Sequence, residues 1–283
     1  MIDKAVFSGT TEKGAAESTM VAMPSFDLTG RTAIVTGGTK GLGFGIAATY
    51  ANYGANIVIT ARTAADIKTA VELINSQYIT SQNKCIGFTA DSAKKADIER
   101  VVSGAVGAFG RIDILVNNAG VSGRTAPIIS NKCDEENFDL VIDTNLKGVF
   151  LFAKAVAQQM VSQGAGGKII NMASVGGLVG GKGLVAYGAS KAGVISLTKT
   201  MANEFARYGV TVNAICPGYV VTPLNKDVFS DKAIREKMEA RTALRRLGCI
   251  EEIAGPALAL ASDCFGYMTG AHILLDGGQT IGG

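Results

Sequence analysis

Histidine is nearly absent from this chain: among 283 residues there is one, His272. One imidazole cannot build a histidine metal site or a Ser-His-Asp triad with ordinary residues to spare, so the chemistry rests on other side chains. His272 lies in an apolar run and reads as a structural residue of a strand. Cysteine is also sparse. Cys85, Cys133, Cys216, Cys249 and Cys264 are odd in number and form no C-x-x-C pair. That argues against a disulfide framework or a metal site and for reduced, mostly buried thiols of a cytoplasmic protein. Charge of one sign is lacking too. The net charge of +3 is small and no Lys/Arg-rich run occurs, which excludes an electrostatic nucleic-acid binder. No apolar stretch is long enough to span a bilayer, so no membrane partner is expected. Residues 1–26 lack the basic start and apolar core of a signal peptide. Their acids, Glu12 and Glu17 among them, argue against a transit peptide. They read as a flexible arm or packing extension ahead of a catalytic domain over 27–283.

What is present is a core and many turns. Hydrophobic residues make up 47% of the chain, charged residues 18%, and glycine occurs 36 times. From Arg31 onward, short apolar runs alternate with amphipathic stretches. The strand candidates are Thr32–Thr36, Asn56–Ala61, Lys84–Thr89, Ile112–Val116, Gly167–Met172, Thr211–Ile215 and Ala271–Leu275. Helix-length segments lie between them: Gly43–Asn52, Thr63–Gln77, Lys94–Phe109, Glu135–Gln163, Val185–Tyr208 and Glu251–Ser262. Several strands are β-branched and nearly all apolar, as strands buried on both faces should be. The alternation predicts one α/β domain, a Rossmann-like doubly wound parallel sheet. The polar 222–248 segment breaks the rhythm. Following a strand's carboxyl end, it stands where a substrate lid belongs.

The first strand candidate runs into Thr36, Gly37, Gly38, Thr39, Lys40, Gly41, Leu42 and Gly43, and a helix follows. Glycines permit the tight turn and a close approach of backbone to a pyrophosphate, which the helix N-terminus then favours. Between the first strand and first helix of a βαβ unit this is a strong dinucleotide signal. The second strand ends at Ala61, where an NAD site would place a carboxylate, and Arg62 follows. With Lys40 nearby, Arg62 predicts NADP(H), because a guanidinium grips a 2′-phosphate that a carboxylate would repel. Asp91, with Ser92 after it, closes the third strand, where a side chain reaches an adenine amino group; a helix cap explains Asp91 equally well. Asn117-Asn118-Ala119-Gly120 follows the fourth strand and can line the cofactor cleft.

Tyr187 and Lys191 are spaced i, i+4 and share a helix face. Phenol has a reference pKa near ~10, and a neighbouring ammonium is expected to lower it. Ser174, at the end of the fifth strand, is placed to donate to a substrate oxygen. Asn145, in Asp143-Thr144-Asn145-Leu146 on a long helix, is a candidate to hold a water linking Lys191 to solvent. The set suggests proton transfer coupled to hydride transfer.

These residues resemble the classical short-chain dehydrogenase/reductase family over about Phe26 to Gly278. The matching motifs are Thr36-Gly37-x-x-x-Gly41-x-Gly43, Asn117-Asn118-Ala119-Gly120, Asn145, Ser174, Tyr187-x-x-x-Lys191 and Cys216-Pro217-Gly218-x-x-x-Thr222. The resemblance implies Asn145, Ser174, Tyr187 and Lys191 as a catalytic tetrad. It implies strand order 3-2-1-4-5-6-7. It also implies that Pro217, Gly218, backbone near Val220 and the Thr222 hydroxyl bind the nicotinamide end, and that the protein is a homotetramer or, less often, a dimer. Ser92 departs from the apolar residue usual after Asp91. The closest flavour is the gluconate 5-dehydrogenase and polyol branch, or general carbonyl reductases. A small carbonyl or alcohol is the expected substrate; a 3-oxoacyl-thioester reductase and a non-catalytic dinucleotide-binding protein are the alternatives. Arg124 and the basic residues of the 222–248 segment are candidates for an anionic substrate, or merely a solvated surface.

Overall fold

A computed structural model describes residues 23–80, 82–223 and 225–281. The expected arm lies outside the described residues except for residues 23–26, which form no helix or strand. Seven parallel strands, β1 (Thr32–Thr36), β2 (Asn56–Ala61), β3 (Cys85–Thr89), β4 (Ile114–Asn117), β5 (Gly167–Met172), β6 (Val210–Pro217) and β7 (His272–Leu275), form one sheet. Its order is β3-β2-β1-β4-β5-β6-β7, as expected. The helices between strands are α1 (Gly41–Asn52), α2 (Ala64–Gln77), α3 (Lys95–Phe109), α4 (Glu135–Ile142), α5 (Gly148–Gln163), α6 (Val185–Phe205), α7 (Lys226–Ser230), α8 (Lys232–Glu239) and α9 (Glu251–Ala261).

The period-2 alternation of strands sorts apolar side chains onto two faces. Ala33, Val35, Ile57 and Ile59 join α1, α2 and α9 in one core. Ile34 and Val58, one residue out of step, join α3, α5 and α6 in the other. Two-sided burial holds for the central strands, with β1 and β4 buried throughout. It fails at the sheet edges. In β3 only Cys85 is fully buried, and in β7 His272 and Leu274 are exposed. The expectation of mostly buried thiols fails likewise: Cys85 and Cys216 are buried, Cys133 and Cys264 are intermediate, and Cys249 is exposed.

Two element boundaries move for visible reasons. The fourth strand starts at Ile114 rather than Ile112, because the Gln163 side-chain amide takes both backbone groups of Ile112, at 2.8 and 2.9 Å. Asp113 is held separately, by the Thr32 backbone N–H at 2.9 Å and by Arg111. The long helix expected over 135–163 is interrupted by a π-helical turn, Asp143–Lys147, with Asn145 inside it. Such turns inside α-helices cluster at functional positions.

Candidate active site

The candidate residues gather at the carboxyl ends of the strands. The chain leaves β1 into the glycine turn and leaves β4 into Asn118-Ala119-Gly120. Because β1 and β4 are neighbours from which the chain winds in opposite directions, these two turns flank the topological switch point.

Thr36 locks the two turns together. Its Oγ1 accepts the backbone N–H groups of Asn118 and Ala119, both at 2.9 Å, and donates to the Val116 carbonyl. The Asn118 amide returns the contact, donating to the carbonyls of Thr36 at 2.9 Å and Gly37 at 3.1 Å. Gly37 and Gly41 have φ of +63° and +58°, the left-handed region glycine tolerates. Gly43 has no room for a Cβ, which would strike the Gly37 carbonyl oxygen and the Asn118 amide. Gly43→Ala is therefore expected to destabilise the fold by about 1–3 kcal/mol and to loosen dinucleotide binding. Denaturant unfolding checks this; an alanine variant of unchanged stability would remove the packing argument. Helix α1 begins with Lys40 as its N-cap, without a side-chain cap and with no acid in its first turn. A turn with no space for a side chain at Gly38 or Gly43, opening an uncapped helix, fits a pyrophosphate.

At the adenosine side, Arg62 is exposed just past β2 and forms no ion pair among the described residues. Lys40 is exposed as well, and its Nζ lies 3.7 Å from the Asp66 carboxylate in the first turn of α2. Asp91 lies two residues beyond the end of β3, and its Oδ1 accepts the Ala93 backbone N–H at 3.0 Å, a local turn. Ser92 is buried with its Cβ and carbonyl against Gly148, at the start of α5.

Ser174 follows β5 and caps a short 3-10 turn, Val175–Gly177, accepting the Gly176 N–H at 3.0 Å. The Lys191 ammonium lies 5.7 Å from the Tyr187 ring centre and donates to the Met172 carbonyl at 2.7 Å. Lys191 is fully enclosed, and burial lowers its pKa to about 8, only partly offset by the Cys216 thiol beside it. The expectation that this ammonium lowers the Tyr187 pKa is not met. Burial raises the phenol above its ordinary value, outweighing the opposing hydrogen bond with Ser174. Lys191 does not offset that burial; its ammonium is held by the Met172 carbonyl.

Asn145 is completely buried. Its Oδ1 accepts the Val121 N–H and its Nδ2 donates to the Val121 carbonyl, both at 2.8 Å, with Ser190 Oγ at 3.2 Å. The side-chain amide expected to hold a water is thus engaged at both ends, tying the loop after Gly120 to α6. Ser190 completes the tie by donating to the Tyr187 carbonyl at 2.7 Å. Beyond β6, Gly218 packs on Asp276 and donates to the Leu275 carbonyl at 3.0 Å. Thr222 faces Gly41. Asn225 holds this segment, accepting the Thr222 N–H at 2.7 Å and donating to the Val220 carbonyl at 2.9 Å.

Thr36, Ser190 and Asn225 are supporting residues that the sequence reading passed over. Thr36 and Ser190 stand inside quoted motifs, so their positions carried a signal. Asn225 had none, lying in a segment with no periodic pattern.

Arg124, a candidate for a substrate anion, is paired with Asp134 at 2.8 Å and lies 3.9 Å from Glu136. Within 222–248, Arg235 pairs with Glu239 and Lys232 with Glu236, while Arg246 pairs with Glu252 just beyond it. None of the helices among the described residues is long and apolar enough to cross a membrane.

A sheet of this order with these strand-end residues defines a nicotinamide-dinucleotide oxidoreductase fold. A family model described as enoyl-(acyl carrier protein) reductase matches residues 37–280, and the chain belongs to the short-chain dehydrogenase/reductase family. It is 36% identical over 263 residues to L-rhamnose 1-dehydrogenase (NAD(P)(+)) of a Sphingomonas strain, spanning 90% of this chain and 98% of that one. It is 36% identical over 254 residues to 2-dehydro-3-deoxy-D-gluconate 5-dehydrogenase of Dickeya dadantii, spanning 90% and 97%. The crystal structure of a short-chain type dehydrogenase/reductase from Mycobacterium marinum superimposes with a TM-score of 0.82 at 35% identity, covering 90% of this chain and 97% of that one.

Proposed function

We propose that this protein is an NADP(H)-dependent oxidoreductase interconverting a ketone and a secondary alcohol in a small carbonyl, polyol or sugar-acid type substrate. The observation that carries the reading is the meeting of Ser174, Tyr187 and Lys191 at the same strand ends as the glycine turn. Gly37, Gly41, Gly43 and the start of α1 would hold the pyrophosphate, Arg62 and Lys40 the 2′-phosphate, and Pro217, Gly218, Val220 and Thr222 the nicotinamide end. When bound, the dinucleotide supplies or accepts the hydride.

The chain's own residues manage the proton. Ser174, whose Oγ accepts the Gly176 N–H at 3.0 Å, would turn its O–H from Tyr187 to the substrate oxygen. Tyr187, with its pKa raised by burial, holds its proton at neutral pH and releases it to the oxygen as charge develops there. Lys191 places a positive charge behind the phenolate that remains. Asn145 and Ser190 fix the helix that carries both. The segment 222–248, with α7 and α8, serves as the lid. We place the enzyme in the cytoplasm as a homotetramer, with Leu140, Phe150 and Leu274, all at least two-fifths exposed, on its contact faces.

Both named relatives act on sugar-type molecules, which supports that substrate class. The pairing of Arg124 with Asp134 favours substrates without a carboxylate at that point. A second reading, a 3-oxoacyl-thioester reductase, is favoured by Lys226, Lys237, Arg241 and Arg245, which form no ion pair among the described residues and would face an acidic carrier. An NADPH-oxidation panel of ketones, keto-sugar acids and acetoacetyl-thioesters separates the two. Turnover of keto-sugars or ketones supports the first; thioesters alone would overturn it.

The coenzyme choice is tested separately. Wild-type protein is expected to favour NADPH, and Arg62→Asp to weaken NADPH by at least about tenfold, with NADH within about twofold. A clear NADH preference in the wild type would refute the assignment.

A further inference from the structure

Lys40 and Arg62 bracket the corner where a dinucleotide's adenosine ribose sits, between the carboxyl ends of β1 and β2. They are not in equivalent states. Arg62 forms no ion pair among the described residues, whereas Lys40 has a partner, Asp66, at 3.7 Å. Asp66 is the first-turn acid of α2, where a negative charge suits the helix N-terminus. The pair bridges the glycine turn to the helix that follows Arg62. It is loose and wet, its side chains 63% and 45% exposed, so a stronger anion can displace the carboxylate.

We propose that Asp66 is a specificity-determining residue that moderates coenzyme preference by competing with a ribose 2′-phosphate for the Lys40 ammonium. The proposal rests on the NADP(H) reading above. A coenzyme with a free 2′-hydroxyl leaves the Lys40–Asp66 pair in place and loses nothing. A coenzyme with a 2′-phosphate must draw Lys40 away from Asp66. The phosphate therefore gains its full attraction only from Arg62, and the margin between the two coenzymes narrows. A chain built this way uses both, with NADP(H) ahead.

The test is direct binding of NADPH and NADH to the full chain at low ionic strength, where exposed charges are least screened. Asp66→Asn keeps the size and helix position of the side chain while removing its charge. It is expected to tighten NADPH by about two- to fivefold, the range of exposed pairs, and to leave NADH unmoved. In the Lys40→Met background the same substitution should no longer separate the two coenzymes. Equal effects on NADPH and NADH, no effect, or a gain that survives in Lys40→Met would each overturn the proposal. Arg62→Ala distinguishes the two possible failures. If it loosens NADPH alone, the corner reads the 2′-phosphate and only the role of Asp66 is wrong. If it loosens neither coenzyme, the underlying NADP(H) reading falls and the role of Asp66 falls with it.

Discussion

Tyr187→Phe is expected to lower kcat by about 10²–10⁴-fold, the usual contribution of a positioned general acid, while NADPH binding stays within about twofold of wild type. The reason lies in what the substitution removes. The ring stays in its partly buried place near Lys191, so packing and the cofactor cleft are preserved. Only the hydroxyl is lost, and with it the proton that the developing alkoxide needs. Ser174 cannot substitute, because a hydroxyl that donates a hydrogen bond stabilises the oxygen without protonating it. Steady-state turnover on the best substrate of the panel, beside fluorescence titration with NADPH, reads both quantities. Retention of more than a tenth of the wild-type rate would sink the assigned role.

The direction of the Tyr187 pKa bears on the same result. A phenol raised by burial keeps its proton across the neutral range, which suits reduction of a carbonyl. In the reverse direction the residue must act as base, so alcohol oxidation is expected to need a higher pH than carbonyl reduction. A pH profile in each direction checks this; coincident optima would count against Tyr187 as the shared proton carrier.

Local rules made most of the fold and the outline of the site legible. The alternation of apolar strands with amphipathic helices sets the βα order, and the glycines after Val35 can only serve a tight turn and close backbone approach. Tyr187 and Lys191 share a face by helical spacing alone. What was not legible depends on contacts between residues far apart in the chain. Asn145 reads as a polar residue on a helix; only the fold brings Val121 within 2.8 Å of both ends of its amide. Ile112 has the look of a strand residue until Gln163 takes both its backbone groups. The pairing of Lys40 with Asp66 depends on where α2 lands relative to the glycine turn. The effect of Lys191 on Tyr187 is hidden for a related reason: sequence spacing puts an ammonium near a phenol, but the ammonium is held by the Met172 carbonyl on β5.

Lys191→Met is expected to abolish turnover, by at least about 10²-fold, and yet to leave the protein more stable at neutral pH than the wild type. Lys191 is buried without a carboxylate partner among the described residues, and burial lowers its pKa from the ordinary 10.5 to about 8. That difference corresponds to a cost of roughly 3 kcal/mol for holding the charged form in the folded state. Below about pH 8 both folded and unfolded chains carry the proton, and the whole cost is present. Between about 8 and 10.5 the folded chain has released it and the unfolded chain has not, so wild-type stability rises with pH through that window. Methionine matches the lysine stem in length, carries no charge and fills the same space. Against this gain stands the hydrogen bond to the Met172 carbonyl, whose loss leaves a buried acceptor unpaired at a cost of about 1–3 kcal/mol. The balance is a stabilisation of roughly 0–2 kcal/mol at pH 7, about 1 kcal/mol at its middle. It should shrink by roughly 2 kcal/mol by pH 9.5, as the wild type sheds its buried charge. Urea unfolding of both proteins at the two pH values measures the gap. A variant less stable than wild type at pH 7, with a gap that does not move with pH, would mean that the ammonium is not the strained element of this site. The predicted result, an inactive protein stabilised at neutral pH and not at alkaline pH, identifies the lysine as a charge held in place for the reaction against the preference of the fold.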